Sequence, residues 1–347
     1  MTKQLCSPNL GWKLVVALMM GASLWAEAFT GPPLYFSHSL KPQRVSGRGS
    51  GPQQFAAGGE PQDSSPEPTR TPTLPTGDFR PKQSLGQNYL SDQNYVLKIC
   101  SHIHDNTEDG SCLIELGPGA GALTQVLYRR YPSMTAVDID ERAVDFLKES
   151  LPGLSVVESD VLQIDYTSLA GLKGDKLTVV GNLPYHITSQ ILFSLCDHYE
   201  SIRESVVTMQ LEVAQRIVAK PGCKEYGILS VVFQLYGTPR ILFQIPPTVF
   251  YPQPKVKSAL LGMTFSGKGL DVDQEALRKV LSTAFQQRRK MLRQSLKHIL
   301  QGKTLPDKFA TKRPEQLTPQ EFIELTVAVC GDSVEQQGVT VWRKMRG

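Results

Sequence analysis

Four consecutive residues, Asn182-Leu183-Pro184-Tyr185, combine types that could perform a specific reaction. The side-chain oxygen of Asn182 and a backbone carbonyl at Leu183 or Pro184 offer two neighbouring acceptors. Such a pair suits an exocyclic amine such as N6 of adenine, whose lone pair is delocalised into the ring. Holding both N–H bonds favours a pyramidal nitrogen with its lone pair turned toward an incoming methyl group. Proline fixes the turn and has no N–H to compete for the acceptors. Tyr185 supplies a flat face on which a base can stack. This chemistry needs neither a metal nor a covalent intermediate, only in-line alignment and stabilisation of developing charge. Taken alone, the same four residues also fit a strand-to-loop turn with a packed tyrosine.

A second set of residues points to the methyl donor. Glu115-Leu116-Gly117-Pro118-Gly119-Ala120-Gly121 follows the apolar run Leu113-Ile114. Two later apolar runs end in acids, Asp138 and Asp160. A glycine loop followed by an acid also describes a NAD-binding fold. The GxGxG spacing differs from the GxGxxG that brings a helix N-terminus to a pyrophosphate. Glu115, an acid ahead of the first glycine, suits a ligand carrying sulfonium and ammonium charges better than a diphosphate. These features favour S-adenosylmethionine, with Asp138 accepting from the ribose hydroxyls and Asp160 from the adenine amino group. Either acid, considered singly, also fits as a surface strand end.

The elements that must position these residues follow from periodicity. Leu113–Leu116, Thr135–Asp138, Ser155–Glu158 and Leu177–Val180 read as strands alternating with helical segments. That alternation predicts an α/β fold, a parallel doubly wound sheet with its ligand at the carboxyl ends of the strands. The expected boundaries are 82–265 for this Rossmann-like domain and 270–330 for a small all-helical C-terminal domain. Residues 331–347 read as a loose tail. Between Arg278 and Lys297 lie Arg278, Lys279, Arg288, Arg289, Lys290, Arg293 and Lys297 with no acid, interleaved with Val280, Leu281, Phe285, Leu292 and Leu296. One or two helices with a buried face and a basic, phosphate-contacting face are expected there, although charge runs also serve as solvated faces. Thr318-Pro319-Gln320-Glu321 has the form of a capping box.

Upstream of residue 82 the composition does not predict a fold. Lys3 and Lys13 supply positive charge ahead of an apolar run, Leu14 to Trp25, and Ala26-Glu27-Ala28 has the small-x-small form of a signal-peptidase site. Residues 29–80 are rich in Pro, Gly, Ser and Gln and are expected to be disordered. They begin at Phe29, carry Lys41, Arg44 and Arg48, and have no acid until Glu60. This order resembles the bipartite presequences that carry proteins into plastids enclosed by extra membranes; plain secretion is the competing destination. The run is too short for a comfortable membrane span, so no stable membrane association is expected after import. The net charge of +4 permits a nucleic-acid partner without requiring one. The six cysteines show no CxxC spacing, which argues against a structural zinc site or a disulfide scaffold.

Across about residues 82–330 the chain resembles the small-subunit rRNA adenine dimethyltransferases. The resemblance rests on Gly86-Gln87-Asn88-Tyr89-Leu90, Glu115-Leu116-Gly117-Pro118-Gly119, Asn182-Leu183-Pro184-Tyr185, Glu212-Val213-Ala214, Tyr226-Gly227, Phe250-Tyr251-Pro252-Gln253-Pro254-Lys255-Val256 and Phe285-Gln286-Gln287-Arg288-Arg289-Lys290, in that order. It implies dimethylation at N6 of two adjacent adenosines in a hairpin loop near the 3′ end of small-subunit rRNA, where unpaired bases can be splayed out. It implies S-adenosylmethionine as cofactor, with Asn88, Leu90, Glu115, Gly117, Gly119, Asp138, Asp160 and Asn182 around it. It also implies RNA contact at Arg288, Arg289, Lys290 and Arg293 by a monomer acting on an immature subunit. Leu211 departs from the Lys more usual in bacterial members, which puts one RNA or structural contact in doubt. His186 reads as a packing or RNA-facing residue. Competing readings are a large-subunit adenine methyltransferase, a non-catalytic assembly or transcription factor on the same fold, and a NAD-dependent oxidoreductase, for which no hydride-transfer set is evident.

Overall fold

The computed structural model describes residues 80–300 and 302–344, giving the backbone alone for Gln83 and for 332–344. The signal segment read at 1–28 and the transit segment read at 29–80, save Arg80, lie outside the described residues. Seven strands form the central sheet: β2 (Leu113–Leu116), β3 (Thr135–Asp138), β4 (Ser155–Glu158), β5 (Leu177–Asn182), β6 (Ile202–Gln210), β7 (Gly237–Ile245) and β9 (Ser258–Phe265). Their order is β4-β3-β2-β5-β6-β9-β7. The first five are parallel, as the alternation predicts, whereas β9 runs antiparallel to both β6 and β7. The sheet is therefore mixed. The edge position of β7 tolerates Pro239, which cannot donate to a ladder.

Strand order reverses between β2 and β5, which are paired in parallel. The crevice beyond the carboxyl ends of two such strands is where open α/β sheets bind ligands. The glycine loop leaves β2 there, and Asn182 ends β5 beside it. A separate two-stranded ribbon, β1 (Tyr89–Leu90) with β8 (Phe250–Tyr251), pairs Tyr89 with Tyr251 and Leu90 with Phe250. It joins the segment before α1 (Gln93–Cys100), the first α-helix among the described residues, to the loop entering β9.

Helices α2 (Thr124–Arg130), α3 (Glu141–Ser150), α4 (Tyr166–Lys173) and α5 (Thr188–Asp197) connect the parallel strands. Helices α6 (Leu211–Val218) and α7 (Ile228–Tyr236) follow β6. The C-terminal part comprises α8 (Gln274–Gln286), three short helices α9 (Leu292–Ser295), α10 (Lys297–Leu300) and α11 (Asp307–Ala310), and α12 (Pro319–Lys344). It does not build its own core. Leu277, Val280, Leu281, Phe309, Phe322 and Leu325 join the same buried cluster as Leu229, Phe233 and Tyr236 of α7. Phe285 stacks on Phe322 at 5.6 Å, and the Tyr226 hydroxyl donates to the Leu317 carbonyl at 2.8 Å. The helices thus extend the α/β core across the boundary the sequence suggests at 265–270. The capping box forms: the Glu321 N–H donates to the Thr318 hydroxyl at 3.2 Å, and the Thr318 N–H donates to the Glu321 carboxylate at 2.8 Å. Residues 331–344 continue α12 in place of the expected tail.

Candidate active site

The glycine loop holds its shape through left-handed backbone. Gly117, Gly119 and Gly121 have φ of 65°, 53° and 76°. At Gly119 a Cβ would lie 2.6 Å from the Tyr89 ring, so only glycine lets the β1 segment close over the loop. A Cβ at Gly117 would meet nothing within 4 Å, so the loop borders open space on that side.

Two acids flank this space. Glu115 is buried in β2, and its Oε2 has no hydrogen-bond partner among the described residues. Burial pushes its carboxyl up to about 8. A buried carboxyl with one unpaired oxygen beside a glycine loop fits a ligand that brings positive charge and suits a diphosphate poorly. Asp138 ends β3 and is also buried. Its Oδ2 accepts from the Gly119 N–H at 3.0 Å and its Oδ1 from the Asp140 N–H at 2.9 Å. These bonds fix the carboxylate in position, and each oxygen retains a lone pair for a ribose hydroxyl. Burial raises its pKa. Asp160, half-buried at the end of β4, caps a short turn by accepting from the Leu162 N–H at 2.9 Å. Gly117, Gly119, Asp138 and Asp160 lie at or just beyond the carboxyl ends of adjacent strands, with Glu115 one residue inside β2, and this donor and acceptor set fits S-adenosylmethionine.

Three contributions were not evident from the sequence. Ile139, between the buried acids Asp138 and Asp140, is 54% exposed and offers an apolar surface for a flat ring. Asp140 accepts from Gln87 at 3.0 Å and pairs with Lys82 at 3.2 Å and Arg142 at 2.7 Å. The Arg142 guanidinium, with Gln87 and Lys82, holds its carboxyl well below the usual carboxylate range. This network ties residues 82–90 to the sheet. The only sequence signal for it was the two-residue spacing of Asp138 and Asp140. Thr208, wholly buried in β6, donates its hydroxyl to Asn182 Oδ1.

Asn182 bridges the two halves of the site. Its Nδ2 donates to the Asn88 carbonyl at 2.6 Å, while its Oδ1 accepts from Thr208. Asn88 itself donates to the Gly86 carbonyl at 3.1 Å. The Pro184 carbonyl accepts from the Thr188 hydroxyl at 2.9 Å and the Ile187 N–H at 3.3 Å. Of the two backbone acceptors left open by the sequence, the geometry therefore favours Leu183. Tyr185 is half-buried, its hydroxyl 2.6 Å from Ser258 Oγ, and burial raises its pKa. Anchoring the hydroxyl orients the ring. His186 is exposed overall; a Cβ at Gly86 would lie 2.6 Å from its Nδ1, and desolvation of the ring by its neighbours lowers its pKa. The Leu90 side chain is core and its strand pairs with Phe250, so only its backbone can face a ligand. Leu211 starts α6, donates its N–H to the Lys257 carbonyl at 2.9 Å, and packs on the main core.

The basic residues fall into two groups. Arg288, Arg289 and Lys290 occupy the turn after α8, closed by the Lys290 N–H to the Gln287 carbonyl at 2.8 Å, and so lie off the helix face expected for them. Arg288 donates to Glu315 at 2.8 Å and to the Cys223 carbonyl at 3.0 Å, a bracing role. Arg289, Lys290 and Arg293 are exposed. Arg289 and Lys290 border a cleft of about 810 Å³ that Lys224 and Arg313 also line. Arg278 pairs with Asp197 at 2.5 Å. Among the described residues no cluster of His, Cys, Asp and Glu could hold a metal, and no helix is long and apolar enough to cross a membrane.

Comparison with known proteins places the chain in a family. The family described as "Ribosomal RNA adenine dimethylase" matches residues 78–321. A ribosomal RNA small subunit methyltransferase A from Salinibacter ruber is 44% identical over 254 residues, covering 71% of this chain and 84% of the relative. The protein of the same name from Parabacteroides distasonis is 41% identical over 256 residues, covering 72% and 93%. Among solved structures, a dimethyladenosine transferase from Plasmodium falciparum superposes with a TM-score of 0.57 at 21% identity, covering 68% of this chain and 95% of that one. The 23S rRNA methyltransferase ErmE gives 0.53 at 21%, covering 70% and 99%; both likenesses show the fold. The chain belongs to the ribosomal RNA adenine dimethylase family.

Proposed function

We propose that this protein methylates N6 of two adjacent adenosines near the 3′ end of small-subunit ribosomal RNA, giving N6,N6-dimethyladenosine. The observation that carries the reading is Asn182 at the end of β5, held by Asn88 and Thr208 beside the glycine loop of β2. S-adenosylmethionine, when bound, supplies an activated methyl group. The Gly117 side of the loop, Glu115, Asp138 and Asp160 would hold it. Tyr185 stacks the splayed base, and Asn182 Oδ1 with the Leu183 carbonyl accepts the N6–H bonds. The same two oxygens stabilise the positive charge that N6 acquires. The names of the relatives support a small-subunit substrate. Exposed Arg289, Lys290 and Arg293 would meet RNA phosphates, the protein acting as a monomer on an immature subunit. The composition of residues 1–80 supports plastid import as the route to that substrate.

The test is incubation of the protein with labelled S-adenosylmethionine and unmethylated small or large subunits. Label should enter small-subunit RNA as dimethyladenosine at two neighbouring positions. Label in large-subunit RNA alone would replace this substrate with the other, and no transfer to either would overturn the reading.

A further inference from the structure

We propose that Thr208 is a positioning residue for methyl transfer, fixing the side-chain acceptor of Asn182 that receives the target amine. The proposal rests on the reading of Asn182 and Leu183 given above. Thr208 lies opposite Asn182 in the parallel β5–β6 pair and has no exposed surface. Its hydroxyl donates to Asn182 Oδ1, and its carbonyl accepts the Leu183 N–H at 3.3 Å. One residue thereby controls the side chain of Asn182 and the peptide that follows it.

The chemistry makes this control specific. A primary amide presents an oxygen or a nitrogen after a half-turn, and only the oxygen can accept from an adenine N–H. Two bonds select the productive face. The Asn88 carbonyl accepts only from Nδ2, and the Thr208 hydroxyl, when donating, matches only Oδ1. The second lone pair of Oδ1 remains for the substrate. Without the hydroxyl, one bond to Asn88 holds the amide, and its plane can rotate about that contact. Asn182 then meets N6 in a distribution of orientations, which slows the chemical step more than it weakens binding.

The test compares Thr208→Val, which keeps volume and backbone, with Thr208→Ser, which keeps the donor. In single-turnover methylation at saturating RNA and cofactor, Thr208→Val should be slower by about 10- to 100-fold, while its dissociation constants for RNA and cofactor and its melting temperature stay near wild type. Thr208→Ser should recover most of the rate. In an Asn182→Ala background, Thr208→Val should add little further loss, because the group it orients is gone. Thr208→Ala stands in should the valine variant fail to fold. A wild-type rate for Thr208→Val, equal loss in the valine and serine variants, or an undiminished effect in the Asn182→Ala background would each overturn the role. The Asn182→Ala variant separates the two claims: a wild-type rate there would remove the acceptor reading itself, whereas a slow Asn182→Ala beside a normal Thr208→Val removes only Thr208.

Discussion

At the scale of single residues, the site divides groups that hold from groups that react. Asn182→Ala should lower the single-turnover rate by about two to three orders of magnitude, by analogy with removing one oriented donor from an oxyanion site. RNA affinity should change little, since phosphate contacts spread over a wide surface dominate it. A wild-type rate at saturating RNA and cofactor would remove Asn182 from the mechanism. Glu115 predicts a pH dependence. Its buried carboxyl keeps its proton up to about pH 8, and a bound cation favours the carboxylate. Cofactor binding at neutral pH should release a proton, and affinity should rise with pH, levelling above about 8. Calorimetry in buffers of different ionisation enthalpy should detect that proton, and Glu115→Gln should abolish it. The sign for folding is opposite. The folded state binds a proton that the unfolded state has released, so the ligand-free protein should lose stability as pH climbs from the ordinary carboxylate range toward 8. Asn182, the glycines and Asp138 were legible because a short local pattern encodes each of them. Thr208, Ser258 and Asp140 were not, because a hydrogen bond between residues far apart in sequence leaves no periodic trace.

Among the elements, strand and helix positions in the first half followed from alternation, but strand direction did not. Nothing in Ser258–Phe265 or Gly237–Ile245 announces that they turn antiparallel, since the same apolar residues suit either ladder. The basic triad illustrates a similar limit. Helix α8 ends at Gln286 without a glycine or proline to mark it, so a continuous helical face extrapolates past the true turn. The consequence is a split among neighbours. Arg288→Ala should lower the melting temperature by breaking its bonds to Glu315 and Cys223, a cost of about 1 kcal/mol for a half-exposed pair. Arg289→Glu with Lys290→Glu should leave stability near wild type, weaken RNA binding and flatten its salt dependence. Equal thermal losses in both variants, or an unchanged salt slope in the second, would contradict the division.

For the whole molecule, the sequence suggests two domains, and in the structure one of the two buried clusters runs from the sheet and α7 into the C-terminal helices, while the other contains no residue of those helices. Composition does not reveal this sharing because apolar residues do not declare which neighbour they will meet. The proposed destination is tested at the same scale. A reporter carrying residues 1–80 should enter the plastid, and Phe29→Ala should strand it in an earlier compartment. Plastid entry without residues 1–28 would show the first segment to be dispensable.

The ribbon between Tyr89–Leu90 and Phe250–Tyr251 sets a timetable for assembly. A chain made, or threaded through a membrane, from its N-terminus presents residues 82–90 first. Their strand partner arrives only after the glycine loop, both acids and Asn182 have emerged. Until then Tyr89 has no ribbon to hold it over Gly119, and the Asn88 carbonyl is not fixed against the Asn182 amide. A nascent or truncated chain ending before Phe250 therefore carries every residue of the donor motif without the clasp that closes it. Closure of the Tyr89 segment over the glycine loop is thus a late event in the life of the polypeptide, timed by the order in which the two strands of one short ribbon appear.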